Sequence, residues 1–250
     1  MTGGQGSGYR LIFLDTETTG NGPNDRLCQV CWKADGVITV KNFKPPVPIS
    51  VKAMSITHIT NEMVAHEPPF AGSETMRELE TLLSDGILVA HNAAFDIGML
   101  KAEGMSVPRH IDTLRLARYL DTEQEIPEYN LQYLRYHFGV RVEALPHSAD
   151  GDVIVLEAIF EHLYAMAAAK AAGKSREEIL DGMIAVSNRP SLIRRFPFGK
   201  HSGELVTDVA KTDRGYLEWL LRSKLEDGGD DADWIYTLRI TLGEQEGAAL

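Results

Sequence analysis

Residues 9–15, YRLIFLD, constrain this chain more than any other stretch. A run this short and apolar suits a strand buried on both faces of a sheet. It leads directly into residues 14–20, LDTETTG. Acids at the end of a buried strand are costly unless a cation or hydrogen-bond donors receive them. Side chains alternate along a strand, so Asp15 and Glu17, two positions apart, share one side and can share a cation.

The order of the following segments predicts the rest of the architecture. Residues 26–34 (RLCQVCWKA) and 37–44 (VITVKNFK) read as two more strands, and Asp35-Gly36 between them favours a tight hairpin turn. Residues 45–50 (PPVPIS) form a proline-punctuated loop. Met76, Leu79, Leu82 and Leu83 recur at helical spacing between Ser73 and Leu83. Residues 87–92 (ILVAHN) resemble a second buried strand, and 95–104 (FDIGMLKAEG) a helix stopped by Gly104. The segments 113–120, 131–139 and 152–173 have helical texture, and a further helix over 175–188 has Ser175 as cap three residues before Glu178. A three-strand meander followed by alternating strands and helices predicts an α/β fold, a mixed sheet covered by helices.

The chain divides by composition. Residues 1–8 are Gly-rich and read as a flexible tail, 9–172 as the main domain, 173–190 as a linking helix and boundary, and 191–250 as a small C-terminal module. Two cysteines in 250 residues make no disulfide framework, and no basic-then-apolar signal opens the chain. The apolar runs fall far short of the roughly 18 residues a membrane span needs. The expectation is a soluble, cytoplasmic protein with no membrane partner. A net charge of −11 argues against nucleic acid at first sight, but clustered carboxylates can be metal ligands and a bound divalent ion inverts the local field.

Three further residues join the first acid pair. Asp96 follows the second buried strand in residues 90–96 (AHNAAFD), where an acid can also cap a helix or favour its dipole. His147 and Asp152 stand five apart in residues 147–152 (HSADGD), the His in a loop and the Asp entering the long helix. Mg²⁺ and Mn²⁺ prefer oxygen ligands, and four carboxylates are about what two such ions need beside water and a phosphate. A His with an ordinary pKa near 6.5 can accept a proton from water at neutral pH.

The order D-x-E, N-A-x-F-D, H-x-A-x-x-D resembles the DEDDh 3′-to-5′ exonucleases of the ribonuclease H-like superfamily. Residues 49–60 (ISVKAMSITHIT) are similar to that family's loop before its first helix, and 111–120 (IDTLRLARYL) to its post-strand helix. The resemblance spans roughly residues 9–170 and implies a ribonuclease H-like, mixed five-stranded sheet flanked by helices. It implies Asp15, Glu17, Asp96 and Asp152 as ligands of two divalent metal ions, Mg²⁺ or Mn²⁺, and His147 as general base. His147 lies one residue before Ser148, where relatives carrying Tyr would place it, which indicates the His subclass. Thr18, Asn92 and Phe95 are implied near the terminal nucleotide, with Met54 and Ile56 against its base. The family commonly reads I-H-G-I-T where this chain reads Ile56-Thr57-His58-Ile59-Thr60, so the usual His position holds Thr57. Residues 188–221 resemble the C-terminal module of the bacterial exodeoxyribonuclease X family, with its F-G-K-x-x-G signature and Y-L-x-W-L helix.

These matches imply a metal-dependent 3′-to-5′ exodeoxyribonuclease acting on single- or double-stranded DNA 3′ ends and releasing nucleoside 5′-monophosphates. A homodimer is compatible with the family. The alternatives are an exoribonuclease or oligoribonuclease and a catalytically silent nucleic-acid-binding adaptor. Arg189, Arg194, Arg195 and Lys200 lie in an acid-free stretch and read as a solvated linker or as a surface that tracks phosphates. Phe196, Phe198, Tyr216 and Trp219 offer the module a small core. Cys28-x-x-Cys31 lies within a strand without a second such pair, so buried thiols are expected rather than a zinc site. Residues 227–233 (DGGDDAD) lack the twelfth-position Glu of a calcium loop and are expected to be solvated.

Overall fold

The computed structural model describes residues 8–122, 125–142, 149–226 and 231–244. The buried run becomes β1 (Leu11–Thr18), the central strand of a five-stranded sheet. β2 (Leu27–Ala34) and β3 (Val37–Asn42) continue it antiparallel on one side, and β4 (Ile87–Ala90) and β5 (His110–Asp112) run parallel to it on the other, giving the order β3-β2-β1-β4-β5. Asp35 and Gly36 join β2 to β3 with φ of 50° and 81°. Both lie in the left-handed region that a two-residue type I′ hairpin requires, so the expected turn is present for the expected reason. β4 is buried at every position and β1 at most, which is why both read as apolar runs rather than alternating ones.

Helices cover the sheet. α1 (Val51–Thr57) and α2 (Glu74–Asp85) begin on Ser50 and Ser73, whose side chains accept from the backbone N–H three residues on. The first falls where a loop was expected: the proline run ends at Ser50, and the serine cap starts a short helix at once. α3 (Ala93–Ala102) packs against β1, β4 and β5, α4 (Thr113–Leu120) follows β5, and α5 (Leu131–His137) lies against α6 (Ala149–Lys170). α6 also crosses β1, β2 and β3. α7 (Arg176–Ser187) opens with the expected reciprocal cap, Ser175 N–H to Glu178 at 2.8 Å and Glu178 N–H to the Ser175 hydroxyl at 3.2 Å. Ile12, Leu14, Leu27, Trp32, Phe43, Phe70, Leu79 and Leu100 belong to the main core cluster.

The chain falls into two compact units, residues 1–116 with 130–187, and residues 117–129 with 188–250. The second unit contains α8 (Val206–Thr212), α9 (Arg214–Glu226) and α10 (Ala232–Leu242) around Ile193, Phe196, Val209, Leu217, Trp234 and Leu238. Segment 117–129 is fixed within it by polar contacts. Arg118 donates to Ser191 and Asp233, and Arg194 donates to the Asp121 carbonyl. Of the acidic stretch 227–233, residues 227–230 lie outside the described residues. Asp231 caps α10 and pairs with Lys224, while Asp233 accepts from Ser191 and Arg118, so both are structural groups rather than parts of a solvated loop. Among the described residues no helix is long and apolar enough to cross a membrane.

Candidate active site

Asp15 and Glu17 occupy alternate positions of β1 and are less buried than the residues flanking them, as one shared side requires. The β1–β2 register slips between Glu17 and Thr18, a local irregularity that ends regular pairing just where the acids sit. Beyond it the chain turns on Asp25, whose carboxylate accepts from the Thr19 hydroxyl at 2.6 Å and the Gly22 N–H at 2.7 Å. Those bonds hold the Asp25 carboxyl below the usual range.

Asp96 lies in the first turn of α3, buried, but does not cap the helix. Its Oδ1 accepts from both the backbone N–H of Thr16 at 3.0 Å and the Thr16 hydroxyl at 2.8 Å. The residue between the two β1 acids therefore clamps the third acid beside them. Asp152 stands in the first turn of α6, and its Oδ1 accepts from Gln132 Nε2 of α5 at 2.8 Å. Three elements distant in sequence thus bring four carboxylates into one electrostatic field.

That field is visible in the proton affinities. Burial, then Asp96, Glu17 and Asp152 in that order, push the Asp15 carboxyl well above the usual range. Burial and then Asp152 lift Glu17 to about 7. Burial lifts Asp96 to about 7 against the opposing effect of the two Thr16 bonds. Such mutual repulsion among buried carboxylates is what a hard divalent cation relieves, so the donor set fits Mg²⁺ or Mn²⁺. Among the described residues no three His, Cys, Asp or Glu side chains converge closely enough to hold an ion. The bonds to Thr16 and Gln132 hold two of the acids in place.

The remaining expected residues are placed as follows. His147 lies outside the described residues. Thr18 is buried and its hydroxyl donates to the Gly20 carbonyl at 2.6 Å. Asn92 precedes α3 with φ of 63°, and its N–H donates to Asp112 Oδ1 at 3.0 Å. Phe95 is half-buried in the same turn as Asp96. Met54 packs against the cluster of Cys28, Ile49, Ala53, Ile59 and Val64, whereas Ile56 is exposed. His58 ends α1 in the left-handed region, exposed, and Thr57 accepts from the Ile59 N–H. Arg194 is engaged with the Asp121 carbonyl, Arg195 with the Gly203 carbonyl and Lys200 with Asp213, so each of these cations already holds a protein partner. Cys28 and Cys31 are buried thiols pushed up to about 12 by burial, as the strand reading requires.

Thr16, Gln132 and Asp112 are organising residues to which the sequence analysis assigns no role. Asp112 is buried and accepts from the N–H groups of Asn92 and Leu114, tying the start of α3 to the start of α4. Its position as the last residue of β5, within the matched segment 111–120, is the sequence signal that could have singled it out.

A family profile described as exonuclease matches residues 12–160, and one described as exodeoxyribonuclease X-like C-terminal matches residues 196–223. Exodeoxyribonuclease 10 of Escherichia coli (strain K12) is 32% identical over 228 residues, covering 85% of this chain and 91% of that protein. The 3′-5′ exonuclease DinG of Bacillus subtilis (strain 168) is 34% identical over 60% of this chain but only 17% of its own length. Among solved structures, exonuclease X in complex with 5′ overhanging duplex DNA superposes with a TM-score of 0.54 at 25% identity, covering 71% of this chain and 99% of the other. E. coli exonuclease I with a dA16 oligonucleotide shares the fold, at a TM-score of 0.52 and 18% identity.

Proposed function

The chain belongs to the exonuclease family, and from that premise we propose that it is a metal-dependent 3′-to-5′ exodeoxyribonuclease releasing nucleoside 5′-monophosphates. The observation that carries this reading is the shared field of Asp15, Glu17, Asp96 and Asp152. Two divalent ions held there would neutralise the phosphoryl oxygens, favour the hydroxide form of water and stabilise the leaving oxygen. Thr16 and Gln132 keep Asp96 and Asp152 oriented as ligands. His147 accepts the proton of the attacking water, a role assigned by its place in the H-x-A-x-x-D motif. Thr18, Asn92, Phe95, Met54 and Ile56 surround the terminal nucleotide, an assignment that rests on the family resemblance. DNA is favoured over RNA because the match to a named exodeoxyribonuclease extends over 85% of the chain, beyond the nuclease motifs.

The decisive assay presents 5′-labelled DNA and RNA of identical sequence, single- and double-stranded, with Mg²⁺ or Mn²⁺. Stepwise shortening of DNA from the 3′ end is expected. RNA cut as fast as DNA would transfer the activity to RNA ends, since the carboxylates themselves do not read the 2′-hydroxyl. No turnover with any substrate and metal would leave the binding adaptor.

The carboxylates also predict how metal-free stability responds to pH. With Glu17 and Asp96 near 7 in the folded protein and ordinary in the unfolded chain, the native state binds more protons between about pH 4 and 7. Stability therefore falls as pH rises through that window. Divalent ions bind the deprotonated form, so Mn²⁺ should raise Tm more at pH 8 than at pH 5.5. A scanning-fluorimetry series with and without Mn²⁺ checks this; equal gains at both pH values would remove these acids from the metal site.

A further inference from the structure

Trp219 is on the outside of a helix whose neighbouring leucines point inward. α9 buries Leu217, Leu220 and Leu221 but leaves Trp219 56% exposed, whereas Trp32 and Trp234 are 2% and 4% exposed. The small core expected from four aromatics is therefore built differently: Phe196 is buried with Trp234, and Trp219 faces water. The Trp219 ring centroid stands 5.6 Å from that of Tyr216 at an interplanar angle of 34°. Tyr216 is backed in turn by Phe196 at 5.7 Å and His201 at 4.9 Å, so the outer ring rests on packed ones.

Two cations border this face. Lys200 Nζ lies 4.8 Å from the Tyr216 ring centroid, and although it pairs with Asp213 an ammonium carries three donors. Arg222, three residues beyond Trp219 on α9, is exposed and has no ion-pair partner among the described residues. Lys200 closes an acid-free stretch, residues 188–203, that also carries Arg189, Arg194 and Arg195. An exposed ring bordered by cations, with a half-buried Tyr216 behind it, matches a single nucleic acid strand, which offers base faces for stacking and phosphates for the charges. A duplex hides its base faces, and a purely apolar protein partner has no use for the cations.

We propose that Trp219, backed by Tyr216 and bordered by Lys200 and Arg222, forms a second single-stranded DNA site in which a nucleobase stacks on the Trp219 ring and phosphates meet the cations. It rests on DNA being the substrate, and it assigns to the C-terminal unit a binding role separate from the carboxylates.

The test uses the full chain in EDTA with an oligothymidylate of about twelve nucleotides, within the usual site sizes. Trp32 and Trp234 are buried, so quenching of tryptophan fluorescence reports mainly on Trp219. Saturable quenching is expected, and labelled-strand anisotropy should show Trp219→Ala weakened by roughly 10- to 100-fold, the range for losing stacking on one base. Trp219→Phe should keep most of the affinity while losing the quench. Arg222→Ala should lower the salt slope of log K by about 0.7, the value for one single-strand phosphate contact. Wild-type affinity in Trp219→Ala, or a flat fluorescence signal from a protein that degrades DNA, overturns this site and leaves the nuclease reading intact. Absence of both DNA cleavage and DNA binding overturns the nuclease reading as well. If Trp219→Ala instead converts a dimer to a monomer in sedimentation without changing DNA affinity, the face belongs to a second copy and the proposal fails.

Discussion

Asp15→Asn and Asp96→Asn are each expected to reduce DNA hydrolysis by more than about 100-fold, the scale reached even by groups one step removed from a metal. Asn keeps the size of Asp and removes its charge, so the expected loss is electrostatic. The two positions differ in what holds them. The Asp96 side chain is fixed by two donors from Thr16, and an Asn amide oxygen can still accept from both, so the fold around α3 persists. Asp15 has its carboxyl pushed upward by burial and by three other acids, so its neutral replacement should stabilise the metal-free protein at pH 8. Lost turnover together with a raised Tm without metal is therefore the expected pair of results for Asp15→Asn. Single-turnover rates across a Mg²⁺ titration, with melting curves in EDTA, measure both. A near-normal rate with an unchanged metal dose-response would show that the replaced acid holds no ion.

His147→Ala is expected to slow hydrolysis by roughly 10² to 10⁴, the usual share of a general base. The variant should keep its divalent-ion affinity, because the proposed ligands are the carboxylates. Wild-type activity should fall on the acidic side as an imidazole of ordinary pKa near 6.5 gains its proton. That limb should flatten in the variant, where no imidazole titrates. A pH–rate profile of both proteins at saturating Mn²⁺ reads this directly. Unchanged kcat with the same acidic limb would make His147 a bystander.

What the sequence reveals here follows the range of the interactions involved. The Asp35-Gly36 turn and the Ser175–Glu178 cap are decided within four residues, and both stand as expected. The buried strands are legible because a parallel sheet covered on both faces demands continuous apolar runs. The four acids are legible through residue type, order and spacing, but the clamp on one of them is not. Thr16 and Asp96 are 80 positions apart, and no local pattern marks Thr16 as the donor. Trp219 shows a different failure. A Tyr and a Trp three apart on a helix look like core, and only the leucines around them decide which face turns inward. Arg194 likewise looks like a free cation until the carbonyl of Asp121 is found beside it.

The discontinuous second unit has a consequence for synthesis on the ribosome. Arg118 and Asp121 leave the ribosome well before their partners, since Arg194 follows Asp121 by 73 residues and Asp233 follows Arg118 by 115. At roughly 5–20 residues per second the segment 117–129 waits about 4 to 20 s before those bonds can form. The nuclease sheet, by contrast, has all its strands once residue 112 has emerged. A nascent chain from which residue 190 has just emerged, so that α6 can cover the sheet, should therefore protect β1 from protease while still being cut between 117 and 129, and full-length release should close that site.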